Sequence, residues 1–398
     1  MTGKTDFKTV EMDNEELEEL NGKIREHRRK TIHKTMLALG IAAVVVISIQ
    51  LWMALRSYTS FEVTAQTKQQ DGSTSKYEKY QGNVLEYNND GIVYRGADNK
   101  LIWNQSFEMA MPTLVICETY LAVYDRGGTS IYIFDEKGVV HKIETTAPIN
   151  TVCIASQGTV AVLMKEDRVS YVRLYDKKGK ELAGGEFYEE KESFPVDIAL
   201  SADAQKLAVD MLDVTEGKVR STVSFYNFGS VGQNEIDNNV GTFSYGGVFI
   251  PEIDYVTSEK MVALSNQGFI IFEGKQKPAP KKEVDFGGEM QSVFRSGKYI
   301  GVTYSNPQKE GNWHIKVYDT NGKTVMENDT ALAYDRIEFL ENNEICVRDN
   351  YHCEIYTIHG IRKFSYTFDK ELYKAMSGED TLNYTFIMNG EVDEVRLR

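Results

Sequence analysis

Six segments of this 398-residue chain share one cadence. Each has a first strand pattern, a short polar turn, and a second strand ending on small or branched apolar residues. They begin at Pro112 (PTLVICETYLAVYD), Pro148 (PINTVCIASQGTVAVLM), Pro195 (PVDIALSADAQKLAVDM), Pro251 (PEIDYVTSEKMVALSN), Glu289 (EMQSVFRSGKYIGVTY) and Tyr334 (YDRIEFLENNEICVRD). A third strand pattern follows each and often closes on an acidic residue and glycine: IYIFDEKG (131–138), VRLYDKKG (172–179), VSFYNFG (223–229), FIIFEGK (269–275), IKVYDTNG (315–322) and EIYTIHG (354–360). A fourth follows most of them, as at 281–286 and 363–368. Four short antiparallel strands recurring every 40-odd residues are the pattern of β-propeller blades.

A further unit precedes them, GNVLEYNNDGIVYRGADNKLIWNQSF from Gly82, with an Asn-Asp-Gly hairpin signal at 89–91. The expected fold is therefore all-β, a propeller of about seven four-stranded blades. Six or eight blades remain open at this point. Residues 383–389 and 391–397 read as one more hairpin, which either completes the first blade or pairs with a strand near 60–66. Joining the chain ends in one blade removes the open edges of the ring. Residues 66–80 (QTKQQDGSTSKYEKY) read as a polar linker or exposed loop.

Ahead of the repeats stands an uncharged run, Met36–Leu55 (MLALGIAAVVVISIQLWMAL). As a helix it reaches roughly 30 Å, the thickness of a bilayer core. The competing reading is a signal peptide, whose apolar region is shorter and ends at a small-x-small site, unlike the exit Trp52-Met53-Ala54-Leu55-Arg56. Lys23, Arg25, Arg28, Arg29, Lys30 and Lys34 precede the run, against Arg56 and Lys68 beyond it. Positive flanks stay cytoplasmic, so a type II single-pass protein in the cell membrane is expected. The expected layout is a cytoplasmic tail at 1–35, a transmembrane helix at 36–56, a strand and linker at 57–81, and an extracytoplasmic propeller at 82–398. The lipid bilayer is then a partner through residues 36–55.

The formal net charge is −14. The first 35 residues are balanced, so the excess lies beyond them, which disfavours nucleic-acid binding. Four cysteines do not make a disulfide scaffold. Cys346 and Cys353 flank a turn at 349–351. A two-residue turn would set them opposite each other, leaving a cross-strand disulfide or a pair of small buried hydrophobes as alternatives.

Two details resemble the quinoprotein-like and WD40-like propellers. One is GADNKLIW (96–103), similar to an Asp-x-x-Gly-x-x-x-Trp blade ending. The other is SADAQKLAVD (201–210), similar to the second-strand turn of WD40-like and TolB-like blades. The whole plan of basic tail, span, linker and repeats resembles an uncharacterised family of Firmicutes membrane proteins, which implies a membrane-anchored propeller of unknown function. The Trp motif occurs once, at Trp103, and no adjacent-cysteine pair is present. The resemblance therefore implies no pyrroloquinoline cofactor, and no cofactor is expected.

No catalytic residues and no metal ligands are assigned. Cys346, His352, Cys353 and His359 form one cluster of soft ligands, but adjacent strand residues point to opposite faces, so the cluster reads as a hairpin core with exposed histidines. The Asp/Asn-Gly pairs read as turns rather than calcium loops. Two loops are candidate binding surfaces. GTFSYGGVFIP from Gly241 carries Phe243, Tyr245 and Phe249; the alternative is packing of these rings on the propeller. KQKPAPKKE carries Lys275, Lys277, Lys281 and Lys282, suited to an anionic partner or to a solvated hairpin. The function expected is a binding or scaffold module for an envelope protein or glycan. The alternatives are a glycan-acting hydrolase or lyase at the propeller channel, and a sensor acting through the short tail.

Overall fold

The computed structural model describes residues 14–54, 56–68, 74–96, 99–189, 193–215, 217–305 and 312–398. Residues 1–13 of the expected tail, 69–73 of the expected linker, Leu55 at the end of the expected span, and Ala97 and Asp98 of the GADNKLIW motif lie outside these. The chain divides into two units, Met1–Arg56 and Ser57–Arg398. The first contains one helix, Asn14–Ala54. Its Gly22–Ser48 stretch is long and apolar enough to cross a membrane, and none of its apolar window is buried within the protein.

The second unit contains eight four-stranded antiparallel sheets among the described residues. Seven are contiguous in sequence: blades 1 to 7 occupy 76–106, 112–144, 149–188, 193–246, 252–285, 290–330 and 336–367. Blade 8 combines three C-terminal strands, Leu372–Ser377, Asn383–Met388 and Glu391–Leu397, with Phe61–Lys68 on its outer edge. The ring thus has eight blades, not about seven. Two segments account for the difference. The segment that reads as a polar linker holds the inner strand of blade 1, Lys76–Tyr80. Its KYEKY sequence has no aliphatic residue, yet Tyr77 and Tyr80 are buried. The C-terminal hairpin is preceded by a third strand whose Lys374 breaks the apolar alternation.

Of the two closures open to the terminal hairpin, the observed one pairs it with the N-terminal strand, Phe61 opposite Leu397 and Lys68 opposite Glu391. Phe61 fixes that closure by packing 4.8 Å from Tyr366 and 5.5 Å from Phe386, ring centre to ring centre. Just upstream, the Tyr58 N–H donates to the Lys363 carbonyl at 2.7 Å. The turns that end on acid and glycine share one mechanism. The carboxylates of Asp176 and Asp319 accept the N–H two residues on, at 2.8 and 2.9 Å. Gly179 and Gly322 then take φ of +78° and +70°, where a side chain would be strained.

Each blade stands with its faces against its neighbours. Seven of the seams are filled by clusters of seven to fourteen buried apolar side chains. The seam between blades 8 and 1 has three, Tyr77, Met376 and Ile387. The first strand of each blade contacts the first strand of a neighbour in blades 2 to 5 and again between blades 6 and 7, so these strands form the wall of the central channel.

Candidate functional site

The inner strands must satisfy two environments, an apolar seam on each side and an open channel in front. Side chains that reach the channel can be charged, and six of the eight inner strands carry such a charge. These are Glu78 on blade 1, Asp197 on blade 4, Glu252 and Asp254 on blade 5, Arg295 on blade 6, Glu338 on blade 7 and Lys374 on blade 8. In blades 2 and 3 the strands Pro112–Cys117 and Ile149–Ile154 are uncharged.

Ion pairs join these groups across the blades. The Arg295 guanidinium donates through Nε to Glu252 at 2.5 Å and through a terminal nitrogen to Asp254. Lys374 donates to Glu338 at 2.8 Å and to Glu78 at 3.3 Å, linking blades 7, 8 and 1. Behind it the buried Arg348 donates to the carbonyls of Leu372 at 3.0 Å and Tyr373 at 2.6 Å. Asp197 accepts the N–H of Ile253, 2.9 Å away on the next blade. The Cys153 thiol meets the Ile198 carbonyl at 3.0 Å, so blade 3 is tied to blade 4 as well.

On the side of blades 2 to 6 the wall encloses a cavity of about 580 Å³, lined in part by Ile116, Thr151, Asp197, Glu252, Asp254 and Arg295. The side chains of Asp254 and Arg295 retain 38% and 36% exposure, so the pair is presented to the channel rather than sealed. Burial nevertheless raises the Asp254 carboxyl, with Arg295 pulling it back. Burial pushes Asp197 up to about 7, against the hydrogen bonds from the Ile253 and Ile198 backbone. Glu78 is raised by burial, with Lys374 opposing. Burial works against the Lys374 charge, yet Glu338 and Glu78 hold its value above the ordinary one. The arrangement offers both signs of charge within one channel, which suits recognition of a polar or charged segment.

Asp210 lies behind this wall, on the second strand of blade 4 and in register with Asp197. It is fully buried, and neither carboxylate oxygen has a partner within hydrogen-bond geometry among the described residues. Burial first, then the charge of Asp197, push it up to about 8, with Ser221 easing the shift.

The residues singled out from sequence lie elsewhere. Phe243 and Tyr245 are on the outer strand of blade 4, Asn239–Gly246, and turn inward; Phe243 packs 6.2 Å from Phe225 and 5.8 Å from Phe272, and Tyr245 6.3 Å from Phe272. Phe249 is half-buried in the connection to blade 5, where its N–H meets Asn266 at 3.1 Å. Lys277 is paired with Glu235 at 2.6 Å, and Lys282 donates to the Asn321 and Gly322 carbonyls of blade 6. Lys275 and Lys281 are exposed on the outer side of blade 5. Cys346 and Cys353 are buried thiols with sulfurs 3.6 Å apart. They are diagonal neighbours, since Cys346 pairs with Ile355 and Cys353 with Arg348. The channel charges were visible in the sequence only as charges interrupting the first strand of some repeats, one in PVDIAL and two in PEIDYV.

A family model described as a family of unknown function (DUF5711) matches residues 54–397. No curated protein matches the sequence. Among solved structures, Sqt1 of Saccharomyces cerevisiae superposes with a TM-score of 0.50 at 10% identity, covering 86% of this chain and 99% of that one. BamB from Moraxella catarrhalis gives 0.48 at 10% identity, with 85% and 100% covered. The WD40 domain of Pan2 from Neurospora crassa gives 0.43 at 8% identity, with 86% and 97% covered. At such identities the likeness is one of fold.

Proposed function

The chain belongs to the DUF5711 family of unknown function, and from that premise we propose that it is a membrane-anchored extracytoplasmic propeller that holds a protein partner of the cell envelope at its channel. The observation that carries this reading is the channel cluster. Arg295 is clamped by Glu252 and Asp254 beside a cavity of about 580 Å³, on a ring closed by its own N-terminal strand. A closed ring is a rigid frame on which several blades can each contribute one recognition group.

The anchoring part of the proposal is supported by the candidate span in helix Gly22–Ser48, apolar from Met36 on, and by the cations that precede Met36. In this reading residues 36–56 span the bilayer, residues 1–35 are cytoplasmic and the propeller is outside.

The test is co-purification of the tagged full chain from crosslinked cells, compared with its Arg295→Ala variant. Removing the guanidinium leaves Glu252 and Asp254 repelling each other at the channel wall. A discrete partner recovered with the parent protein and reduced about tenfold with the variant, at equal protein level, is the expected result; about tenfold corresponds to roughly 1.4 kcal/mol of binding. Equal recovery from both, or no partner from the parent, contradicts it.

A further inference from the structure

The seam between blades 8 and 1 differs from the other seven. Where they are filled with apolar side chains, this one holds a cluster of three buried apolar residues among the described residues and leaves a slot of about 380 Å³. The volume falls in the range of small-molecule sites. The slot is unconnected with the channel cavity by any shared lining residue.

The slot's two walls are sheet faces, not strand edges. The outer strand Phe61–Lys68 and its neighbour Glu391–Leu397 are already paired with each other. In that sheet Phe61–Lys68 is the end strand and keeps one unpaired edge; between the two faces recognition falls to side chains. Beside the apolar Val84, Met376 and Val392, several of those side chains are polar. Asn83 and Arg95 come from blade 1; Asn383, Thr385 and Glu394 come from blade 8. The Asn383 backbone carbonyl accepts the Gly378 N–H at 2.7 Å, while its side-chain amide oxygen is buried with no partner among the described residues. Such an acceptor asks for a donor that the fold does not supply. Arg95 offers donors from the opposite wall. Glu86, Glu379 and Glu394 against Lys79 and Arg95 leave the lining slightly negative, which disfavours an anionic ligand.

We propose that the slot between blades 8 and 1 binds a short neutral oligosaccharide, of about two sugar rings. A sugar presents hydroxyl donors and acceptors on all sides, so it can meet amides, hydroxyls, carboxylates and a guanidinium on two facing walls at once. The slot reading stands independently of any partner at the channel.

The experiment uses the full chain in a detergent without a sugar headgroup, titrated with chitobiose, cellobiose and maltose and followed by ligand-observed NMR. At least one disaccharide is expected to bind with a Kd of about 1 mM or tighter. Two variants act on opposite walls: Thr385→Phe fills the slot, and Arg95→Ala removes the guanidinium from its lining. Each is expected to weaken binding about tenfold, while Asp254→Asn in the channel leaves it unchanged. Should Thr385→Phe fail to fold, Arg95→Ala decides alone. The proposal is overturned if none of the three sugars binds, if binding is indifferent to the slot variants, or if Asp254→Asn abolishes it.

Discussion

Lys363→Met is expected to destabilise the propeller by about 3–5 kcal/mol, the cost typical of stripping one partner from a buried ion pair. Lys363 lies on the outer strand of blade 7 and is 7% exposed. Its ammonium donates to Glu344 at 2.6 Å, to the Tyr384 hydroxyl at 2.8 Å and to the Thr381 carbonyl. Tyr384 in turn donates to Glu344. Burial, then the charge of Glu344, hold the tyrosine hydroxyl well above its ordinary value, so it stays a donor. The three groups cross the seam between blades 7 and 8, directly beneath the carbonyl that receives the Tyr58 N–H.

Methionine keeps the length of the lysine stem but leaves the Glu344 carboxylate buried with Tyr384 alone. The double variant Lys363→Met/Glu344→Leu removes both charges and is expected to recover most of the loss, because an apolar pair can replace a buried ion pair at little cost. Urea unfolding of the parent, the two single variants and the double variant measures the cycle. A single Lys363→Met variant within about 1 kcal/mol of the parent would contradict this account of the seam.

Asp210→Asn is the second large expected effect, and it depends on pH. The ordinary carboxyl value is 3.8 and the folded value about 8. Between these limits the folded protein holds a proton that the unfolded chain releases. The contribution of Asp210 to stability is therefore fully present below pH 3.8 and is lost as pH rises through about 8. Asp197, raised to about 7, acts with the same sign. The groups around the pair are Ser221 on the third strand of blade 4 and, across the seam, the Ile253 N–H with Glu252 and Asp254, whose charges Arg295 balances.

Asparagine keeps the shape of the protonated carboxyl and cannot ionise. The variant and the parent should differ least below about pH 4, and the variant should gain on the parent by about 4 kcal/mol between pH 5 and pH 8.5. Thermal unfolding across that range separates the curves. Parallel curves would mean that Asp210 has no raised value in the folded protein.

Much of the ring was legible because a blade is a local object. The apolar first and second strands, the Asp-based turns at Asp176 and Asp319, and the proline starts at Pro112, Pro148, Pro195 and Pro251 all recur within one repeat. The eighth blade was legible only in part: its terminal hairpin and the pairing of that hairpin with a strand near 60–66 were among the readings, but the count of eight was not, for reasons that are also physical. Lys76–Tyr80 buries tyrosines rather than aliphatics. Leu372–Ser377 carries Lys374 where the channel, not a core, receives it. The outer strand of that blade comes from Phe61–Lys68, more than 300 residues away from its hydrogen-bonded neighbour.

The channel site was harder still. Asp197, Glu252, Asp254 and Arg295 lie up to about 100 residues apart, and each reads alone as a charge on a strand. Only ring closure brings them to one cavity. Conversely, the aromatic loop at Phe243 and Tyr245 stood out in sequence because its rings are close together. In the fold that same proximity lets them cover Phe225 and Phe272. The slot between blades 8 and 1 depends on where the two ends of the ring meet, which no single repeat encodes.

The most direct test of a channel-held partner is site-specific photocrosslinking of the full chain in living cells. A photoreactive residue at Ile116, 40% exposed and lining the channel cavity, is compared with one at Leu182, 54% exposed on the outer edge of blade 3. The account predicts one discrete protein adduct from position 116, lost when Arg295→Ala is introduced, and no such adduct from position 182. Adducts of equal yield from both positions, or an adduct at 116 indifferent to Arg295→Ala, would contradict it.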